Sequence, residues 1–462
     1  MGQVGAPDGM LSSWAMNNPV LVWLRLDLRL ADNPALDAAA ALQKRVVPVF
    51  IWAPEEDGDW PPGAASRWWL HQSLKSLDAD LKRRGMRLIL RRGPSLHALR
   101  SVIHETGARD VFWNRRHEPA LIARDERVRQ ALESDGISVG TFNASLLFDP
   151  AEIRNSSGNP FQVFTPFWRA CISVAPDFMP LPVPELHPTK ISLLSLSLED
   201  LSLEPAVDWV RGFRSAWRPG ESGAQGMLRR FLNEALDQYP EQRDYPSNAG
   251  TSRLSPHLHF GEISPRQVWA ACARRRSVAA KSFLRQLGWR EFAHHLLHHF
   301  PHTAAKPLRT QFERFRWRDD PQMLRAWQLG RTGYPIVDAG MRELWATGWM
   351  HNRVRMIAGS FLVKDLLLSW TEGARWFWDT LVDADLANNT LGWQWVAGCG
   401  ADASPYFRIF NPATQARKFD SKAAYVSQWV PERNGPDYPR PVVDHARARE
   451  RALEALALTK KR

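Results

Sequence analysis

Short apolar runs alternate with amphipathic helical patterns over the first third of the chain. The apolar runs, rich in β-branched residues, are Val20–Leu24, Val46–Trp52, Leu88–Leu90 and Val111–Trp113. The helical patterns between and after them are Pro34–Gln43, Arg67–Arg84 and Ala120–Glu133. Strands that alternate with helices pair in parallel and are covered on both faces. We therefore predict a doubly wound α/β domain over residues 19–150, preceded by a loose segment at 1–18.

The pattern changes twice after residue 150. Residues 151–225 are rich in Pro, Ser and Leu, which interrupts regular periodicity and predicts an interdomain connection. Residues 226–462 are helical in pattern almost throughout, which predicts an all-α second domain. Its amphipathic stretches are Gln267–Arg275, Lys281–His299, Pro321–Leu329, Ile336–Trp345 and Asn352–Trp370. Neither GxGxxG nor GxxxxGKS/T follows the first strand, so these two nucleotide-binding motifs are excluded.

Charge and aromatic composition point to a polyanionic partner and to a specific use of indole. The formal net charge is +11 at pH 7, and clustered Lys and Arg release counterions when they dock on a phosphate backbone. The chain has 22 Trp but only 6 Tyr, whereas an interface built on general aromatic packing draws on both. The charge is compatible with a polyanionic partner such as nucleic acid but does not by itself identify one, and the Trp excess indicates a specific use of indole.

Cysteine usage and hydropathy predict a cytoplasmic protein that does not contact a membrane. Cys171, Cys272 and Cys399 are widely spaced and form neither a disulfide framework nor a CxxC metal site. No apolar run reaches the roughly 18 residues that a membrane span requires. The N-terminal segment also lacks a basic region followed by an apolar one.

Two polar segments are candidates for ligand binding. Gly250–Ser255 places hydroxyls and an Arg before Pro256, in a loop that either holds a phosphate or serves as a helix cap without a ligand. Asp383–Trp395 places two acids and two amides among indoles, and buried polar groups need partners. A polar ligand against an aromatic wall is the better interpretation of this second segment.

Three further motifs are weaker signals. Histidines at i, i+4 spacing, which can hold a metal, occur at His294, His295, His298 and His299. Because no HExxH and no obvious third ligand accompany them, we interpret this run as a solvated helix face. We interpret Trp289–Glu291 as a core Trp beside surface charges. Pro405–Pro412 places Arg408 between aromatics, which suits stacked bases with a phosphate or a cation–π contact inside the fold.

Several ordered motifs resemble one known family. They are TGYPIVDAGMREL from Thr332, GWMHNRVRMIAGSFLVKDLL from Gly348, DADLANNTLGWQW from Asp383 and PYFRIFNP from Pro405. With GTSRLS, WREF and VWLRLDLRLADNPAL, the chain resembles DNA photolyases of the photolyase/cryptochrome family that repair cyclobutane pyrimidine dimers (CPDs). The resemblance implies a carbon–carbon lyase with an α/β antenna domain and a helical domain that binds FAD and UV-damaged DNA. It also implies a monomer without a metal.

The resemblance implies a set of flavin contacts in the helical domain. Tyr239 and the Thr251–Ser255 loop match phosphate and ribose contacts, and Asp383, paired with Arg355, and Asp385 match acids near the ribityl chain and the isoalloxazine. Asn389 matches the residue that faces flavin N5, where plant cryptochromes carry Asp, so it favours repair. The expected cofactor-binding residues are Tyr239, Thr251, Ser252, Arg253, Leu254, Ser255, Phe283, Arg290, Arg355, Asp383, Ala384, Asp385 and Asn389.

The resemblance also implies electron-transfer and lesion-binding residues. Trp393, Trp370 and Trp317 match the tryptophan chain through which electrons reach the flavin. Trp289 and Trp395 match the two indoles that hold the flipped dimer, which costs less to extrude than a well-stacked base. The expected DNA-binding residues are Gln286, Trp289, Asn352, Arg353, Trp395 and Arg408. The expected catalytic residues are Asn389, Gln286, Trp289, Trp395 and Met356.

Gln286 departs from the CPD pattern, which generally has Glu there to hydrogen-bond the dimer carbonyls. Gln at this place is a feature of (6-4) photolyases, but those enzymes require histidines where this chain has Asn352 and Met356. We therefore favour CPD repair over (6-4) repair. A cryptochrome-like photoreceptor remains the alternative from another class, although Arg440–Arg462 reads as a short basic helix and not as a long signalling extension.

The antenna chromophore is predicted with less detail than the flavin. The Asn-Glu pair that contacts methenyltetrahydrofolate (MTHF) in well-known folate-type members is Ala120-Leu121 here. The LANNTLGWQW sequence resembles the class III branch, for which folate is the expectation. MTHF bound by other residues is therefore favoured over a deazaflavin or an empty antenna site.

Overall fold

A parallel sheet forms the N-terminal domain. The computed structural model describes residues 18–189, 191–403 and 407–460 of the chain. The strands are β1 (Val20–Leu24), β2 (Arg45–Trp52), β3 (Ile89–Arg92), β4 (Asp110–Asn114), β5 (Ser138–Phe142) and β6 (His187–Pro188). They pair in parallel in the order β3–β2–β1–β4–β5, and the short β6 pairs with β2. The pattern analysis did not include β5.

Alternation along the strands explains why helices cover both faces of this sheet. In β1, Val20, Val22 and Leu24 pack into one buried cluster, whereas Leu21 and Trp23 pack into another. Successive side chains of a strand point to opposite faces, so each face of the sheet has its own core. The predicted doubly wound α/β domain is confirmed.

Helices make up most of the remaining chain. In the α/β part they are α1 (Pro34–Ala41), α2 (Ala64–Lys82), α3 (Ser95–Thr106) and α4 (Pro119–Ser134). Between the two parts and at the start of the second lie α5 (Phe164–Val174), α6 (Arg211–Ala216), α7 (Glu221–Glu234), α8 (Tyr239–Gln242), α9 (Ser255–His259) and α10 (Pro265–Ala273). Then follow α11 (Val278–His299), α12 (Pro321–Gln328), α13 (Pro335–Thr347), α14 (Asn352–Ser360), α15 (Trp370–Thr380), α16 (Leu386–Ala397), α17 (Pro412–Phe419), α18 (Ala424–Trp429) and α19 (His445–Lys460).

The predicted single helical stretch Asn352–Trp370 is wrong, because the chain leaves the α-helix after Ser360. A π-helical segment, Phe361–Asp365, follows, and Leu367 adopts a left-handed φ of 57°. The wider π turn leaves Lys364 fully buried, where its Nζ donates to the carbonyl of Ala397 at the end of α16 (2.7 Å). Burial holds the pKa of Lys364 well below its ordinary value. After this break, α15 starts at Trp370.

The connecting segment packs on the helical domain and is not irregular throughout. One face of α5 is apolar, and Phe164, Phe167 and Cys171 from that face lie in the same buried cluster as Phe292 and Leu296 of α11. The segment predicted as an interdomain connection therefore supplies a helix to the core beside α11. Its contact with α11 becomes important at the candidate site.

The chain termini and cysteines add little to the architecture. Residues 1–17 of the segment predicted to be loose, and residues 461–462, lie outside the described residues. The C-terminal helix α19 contacts the π-helical segment, where Arg451 donates to the backbone carbonyl of Asp365. The three cysteines are buried and free. Within the described ranges, no helix is long and apolar enough to cross a membrane.

Candidate active site

The Asp383–Asn389 segment supplies two carboxylates, Asp383 and Asp385, just before the first residue of α16. Asp385 caps the helix, since its Oδ1 accepts the backbone N–H of Asn388 (2.8 Å) and also the Asn388 side-chain amide (2.7 Å). Two residues earlier, both carboxylate oxygens of the nearly buried Asp383 accept from Nη2 of Arg355 (2.8 and 3.0 Å). Asn389 is half-buried and donates to the carbonyl of Ala374 (3.0 Å).

A pair of tryptophans joins the Thr251–Ser255 loop to this carboxylate pair. Arg253 has a left-handed φ of 51°, and its guanidinium lies between Trp217 (4.4 Å) and Trp349 (4.7 Å). The guanidinium of Arg355 lies 6.0 Å from the same Trp349 ring. The loop opens onto α9 at Ser255 as its sequence predicts. The loop and the Arg355–Asp383 pair therefore border one region.

Aromatic packing fixes the remaining flavin candidates from α8 and α11. Tyr239 and Phe283 are buried and pack edge to face with ring centroids 5.3 Å apart, and both rings contact Phe231. Leu254 lies in the same buried cluster. Arg290 and Ala384 are placed differently, because both line the boundary with the α/β domain. Arg290 donates to the carbonyl of Ser145 there (2.6 Å).

Histidines from α9 and α11 surround the second oxygen of Asp385. His294 Nε2 lies 3.3 Å and His259 Nδ1 3.7 Å from Oδ2. Burial opposes ionisation of Asp385, but the two imidazoles outweigh it and hold its pKa well below the ordinary value. His117 of the α/β domain packs edge to face against His294, with ring centroids 5.9 Å apart. The polar groups of both domains therefore meet at this carboxylate.

The prediction of a solvated histidine face on α11 is wrong for its first two members. His294 is 5% exposed and His295 is 0% exposed, because the connecting segment and α16 cover this side of α11. His295 Nε2 accepts the backbone N–H of Phe161 (3.0 Å). No group of three or more His, Cys, Asp or Glu side chains that could hold a metal occurs in the described part of the chain.

The three tryptophans of the expected electron chain become less buried from one to the next. Trp393 and Trp370 are 3% and 4% exposed, whereas Trp317 is half-buried and packs on Phe315 with ring centroids 4.4 Å apart. Trp393 itself packs against Phe377 (4.9 Å). Gly373 is needed beside it, since an added Cβ would come within 2.0 Å of the Trp393 ring. The order of burial suits transfer between the interior and the surface.

The residues expected to bind the lesion lie on α11, α14 and α16. Trp289 and Trp395 are half-buried, and the Arg408 guanidinium lies 5.1 Å from the Trp395 ring. On α14, the Asn352 amide lies 3.8 Å from the sulfur of Met356, one turn later.

Arg353 lies next to Asn352 on the same helix. It pairs with Asp244 (2.9 Å), and its guanidinium lies 4.3 Å from the ring of Phe419. A cavity of about 360 Å³ opens beside this pair and is also lined by Tyr245 and Lys418. Arg408 is exposed, whereas Pro405 and Tyr406 of the same motif lie outside the described residues.

Sequence reasoning missed two residues that contact side chains expected to bind the lesion, namely Gln286 and Trp289. Arg243 donates to the side-chain oxygen of Gln286 (3.3 Å) and lies 5.3 Å from the Tyr239 ring. Its position one helical turn after Tyr239 was a usable signal. Phe164 stacks on Trp289 with ring centroids 3.8 Å apart and planes inclined by 9°. No local pattern could link two residues so far apart in sequence.

A second aromatic site, the junction cavity, lies where the α/β domain meets α15 and α16. Trp23, Trp52, Trp60, Phe260 and Trp378 line it. Trp60 and Trp378 pack edge to face with centroids 5.4 Å apart, and Trp378 donates to the carbonyl of Pro61 (2.6 Å). Charged groups also line this cavity, namely Arg25, Asp57, Arg116, Glu118 and Arg124. Leu121 lines it as well, although the motif comparison gave that position no role.

Comparison with known proteins agrees with this arrangement of domains. The family model described as the FAD binding domain of DNA photolyase matches residues 283–436, and the DNA photolyase model matches residues 20–187. The deoxyribodipyrimidine photo-lyase of Agrobacterium fabrum is 46% identical to this chain over 96% of its length and 98% of the relative's. The chain belongs to the DNA photolyase/cryptochrome family.

Other members of the family are similar over most of the chain. A crystal structure of a bacterial class III photolyase from Agrobacterium tumefaciens superposes with a TM-score of 0.92, with 46% identity, over 96% of this chain and 98% of that one. An archaeal photolyase from Sulfolobus tokodaii, solved with two FAD molecules, has a TM-score of 0.83 at 30% identity, over 95% and 100%. Cryptochrome-2 of Arabidopsis thaliana is 40% identical over 96% of this chain and 80% of its own.

Proposed function

We propose that this protein uses blue light and reduced FAD to split cyclobutane pyrimidine dimers in UV-damaged DNA. The carrying observation concerns Asn352 and Met356, which contact each other on α14. By the resemblance, (6-4) photolyases require histidines at these two positions. Asn389, an amide, lies on the same helix as Trp393 of the expected electron chain. Similarity to deoxyribodipyrimidine photo-lyases over nearly the whole chain supports the same reaction.

The side chains described above fit FAD chemically. The Nε of Arg253 is buried without a hydrogen-bond partner among the described residues, so it can donate to an anionic phosphate. Hydroxyls and backbone N–H groups of Thr251–Ser255 add donors for the phosphates and ribose. The carboxylates of Asp383 and Asp385 accept from sugar hydroxyls or a ring N–H. Reduced flavin, when bound, supplies the electron that opens the cyclobutane ring and receives it back.

Gln286 and Arg243 act together on the dimer in this proposal. Because Arg243 donates to the Gln286 oxygen, the Gln286 amide nitrogen remains to donate to a pyrimidine carbonyl. The guanidinium places a positive charge beside the position where the dimer gains negative charge, and fixed charges of this kind favour such a state. Gln286 cannot supply a proton as Glu does, and Arg243 provides electrostatic stabilisation in its place. Trp289 and Trp395 hold the flipped dimer between them.

A repair assay tests the proposal. The photoreduced protein is incubated under blue light with oligonucleotides that carry either a CPD or a (6-4) product, and the products are separated by chromatography. We expect reversion of the CPD alone. Reversion of the (6-4) product alone would assign the other substrate. Failure to repair either lesion with the flavin fully reduced would contradict repair and leave the photoreceptor alternative.

We further propose that the junction cavity holds the antenna chromophore and that this is MTHF. The cavity lies at the carboxyl ends of β1, β2 and β4, where the strand order reverses, which is the usual ligand site of open α/β sheets. Burial raises the pKa of Asp57 to about 6, against the charges of Arg116 and Arg124. A pterin presents an N–H and an amino group side by side, which a carboxylate accepts as a pair. A deazaflavin presents one such N–H between two carbonyls.

The visible absorption spectrum of the purified protein tests this second proposal, because folate and deazaflavin absorb at different wavelengths from FAD. We expect a folate band. A deazaflavin band, or an FAD spectrum alone from protein made in a folate-producing cell, would contradict it.

We assign residues 19–150 to the antenna domain, 151–225 to the connection and 226–462 to FAD and DNA binding.

We also infer a monomer that works in the cytoplasm, where its three free thiols stay reduced. Light scattering with and without a lesion-bearing oligonucleotide checks the monomer, and a dimer mass would contradict it.

A further inference from the structure

Trp289 has one face covered by the connecting segment. Phe164, the first residue of α5, is fully buried and stacks on this indole with ring centroids 3.8 Å apart and planes inclined by 9°. Trp289 remains half-buried, so part of the indole is open to solvent and available to a ligand. The indole therefore stands between a phenyl ring of the protein and the position proposed for the dimer.

Phe164 is held in place from two sides. Its backbone N–H donates to Oδ2 of Asp402 (3.1 Å), a residue shortly after α16, the helix that carries Trp395. One turn along α5, Trp168 lies nearly parallel to Phe164 with centroids 6.3 Å apart. Trp168 can approach α11 only because residue 288 is Gly, since an added Cβ would come within 2.4 Å of its ring. The stack Trp168–Phe164–Trp289 is thus anchored on both α11 and the segment after α16.

We propose that Phe164 is a positioning residue that sets the plane of Trp289 and so contributes to discrimination between dimer and undamaged DNA. This inference rests on the proposed function, in which Trp289 contacts the flipped dimer. Ring contacts depend on separation and inclination, so a tilted indole loses contact with a rigid lesion held against its face. Asp402 links this positioning to α16, so the two indole walls keep a fixed relation.

Phe164→Leu tests the proposal, with Phe167→Leu as the matched control. Phe167 is on the same helix and is equally buried, but it packs on Phe292 and His295. Affinity for CPD-bearing and undamaged oligonucleotides, FAD content and thermal unfolding are measured for each variant. We expect Phe164→Leu to weaken CPD binding by about tenfold, as loss of a good aromatic stack implies, with undamaged-DNA binding and FAD content unchanged. Phe167→Leu should leave discrimination as it is.

A double-mutant cycle separates positioning from general loss of packing. If Phe164 acts through Trp289, then Phe164→Leu should have no further effect on CPD affinity in a Trp289→Leu background. Asp402 has a left-handed φ of 54°, so Asp402→Gly removes the carboxylate that anchors α5 without adding backbone strain, and it should weaken CPD binding by a smaller factor. Equal losses for Phe164→Leu and Phe167→Leu, or an undiminished loss in the Trp289→Leu background, would overturn the inference.

Failure of the proposed function and failure of the role of Phe164 give different results. If Trp289→Leu alone leaves CPD affinity unchanged, the lesion wall itself is misassigned and the proposed function is in error at this residue. If Trp289→Leu weakens CPD binding but Phe164→Leu does not, only the role of Phe164 is overturned.

Discussion

The lesion side of the helical domain and the junction cavity are both lined by tryptophans, but the two regions use them differently. Trp289 and Trp395 are half-buried, so each indole is partly open to solvent. Trp23 in the junction cavity is 1% exposed and has the guanidiniums of Arg25 and Arg124 against its ring (4.7 and 4.9 Å). Open indoles suit a large partner that comes and goes, whereas an enclosed indole with charged neighbours suits a small molecule that stays bound. We therefore expect mutations in the two regions to affect different ligands.

The largest expected effect comes from Arg355→Ala. Removal of this partner leaves the nearly buried Asp383 carboxylate unpaired, and breaking a buried pair in this way costs about 3–5 kcal/mol. We expect FAD content, measured by absorbance after purification, to fall at least ~10-fold. The exposed Arg408→Ala variant is the control and should keep its FAD. Full FAD content in Arg355→Ala would show that Asp383 and Asp385 do not contribute to flavin binding.

Asp57→Asn should have the next largest effect, and only on the junction cavity. The amide cannot accept two hydrogen bonds from a pterin, so antenna content should fall by about tenfold. FAD content and CPD repair under direct flavin excitation should not change. The two chromophores are quantified by absorbance after denaturation. A parallel loss of FAD would show that the two regions are not independent.

Arg243 allows a test of how Gln286 is supported beside the proposed position of the dimer. We expect Arg243→Ala to lower the repair yield per absorbed photon by about 3- to 10-fold, since it removes a charged hydrogen bond to Gln286. Gln286→Glu should bring no gain near neutral pH, because the new carboxylate would pair with Arg243 and remain ionised. A higher yield in Gln286→Glu would contradict this and show that the missing acid limits turnover.

The smallest expected effect concerns pH and a buried acid behind the flavin site. Burial raises the pKa of Glu343 to about 7, although Tyr425 donates to it (2.6 Å) and Arg253 and Arg355 face it. The raised pKa stabilises the folded state below about pH 4.5, and this contribution disappears as the pH rises through 7. Between pH 5 and 8, the thermal midpoint of Glu343→Gln should therefore fall by ~2 °C less than that of the unsubstituted protein. Identical pH profiles for both proteins would contradict this.

The sequence predicts features that depend on neighbours along the chain. The strand Val20–Leu24 was predicted because it is a short, wholly apolar run, and the structure buries it on both faces. The motif comparison paired Arg355 with Asp383, and in the structure Nη2 of Arg355 donates to both carboxylate oxygens of Asp383. The motif residues are therefore the part of the candidate site that could be listed before the structure was known.

Contacts between distant segments were not predictable in this way. Phe164 meets Trp289 only because α5 packs along α11, and the burial of His294 depends on Asp385 and on the domain boundary. The helix Asn352–Trp370 was overextended because its apolar pattern continues through the π-helical segment, whereas the buried Lys364 contact forces a break. The lining of the junction cavity comes from strand ends, α15 and α16, which no single motif spans.

The central claim is that an electron from the light-excited flavin splits the dimer and then returns. The most direct test is a single-turnover flash experiment on the reduced protein bound to a CPD-bearing oligonucleotide, with ultraviolet absorbance reporting restored pyrimidines and visible absorbance reporting the flavin. The account predicts that ultraviolet absorbance rises after the flash while the flavin returns to its starting spectrum. Full flavin excitation without any rise in ultraviolet absorbance would contradict it.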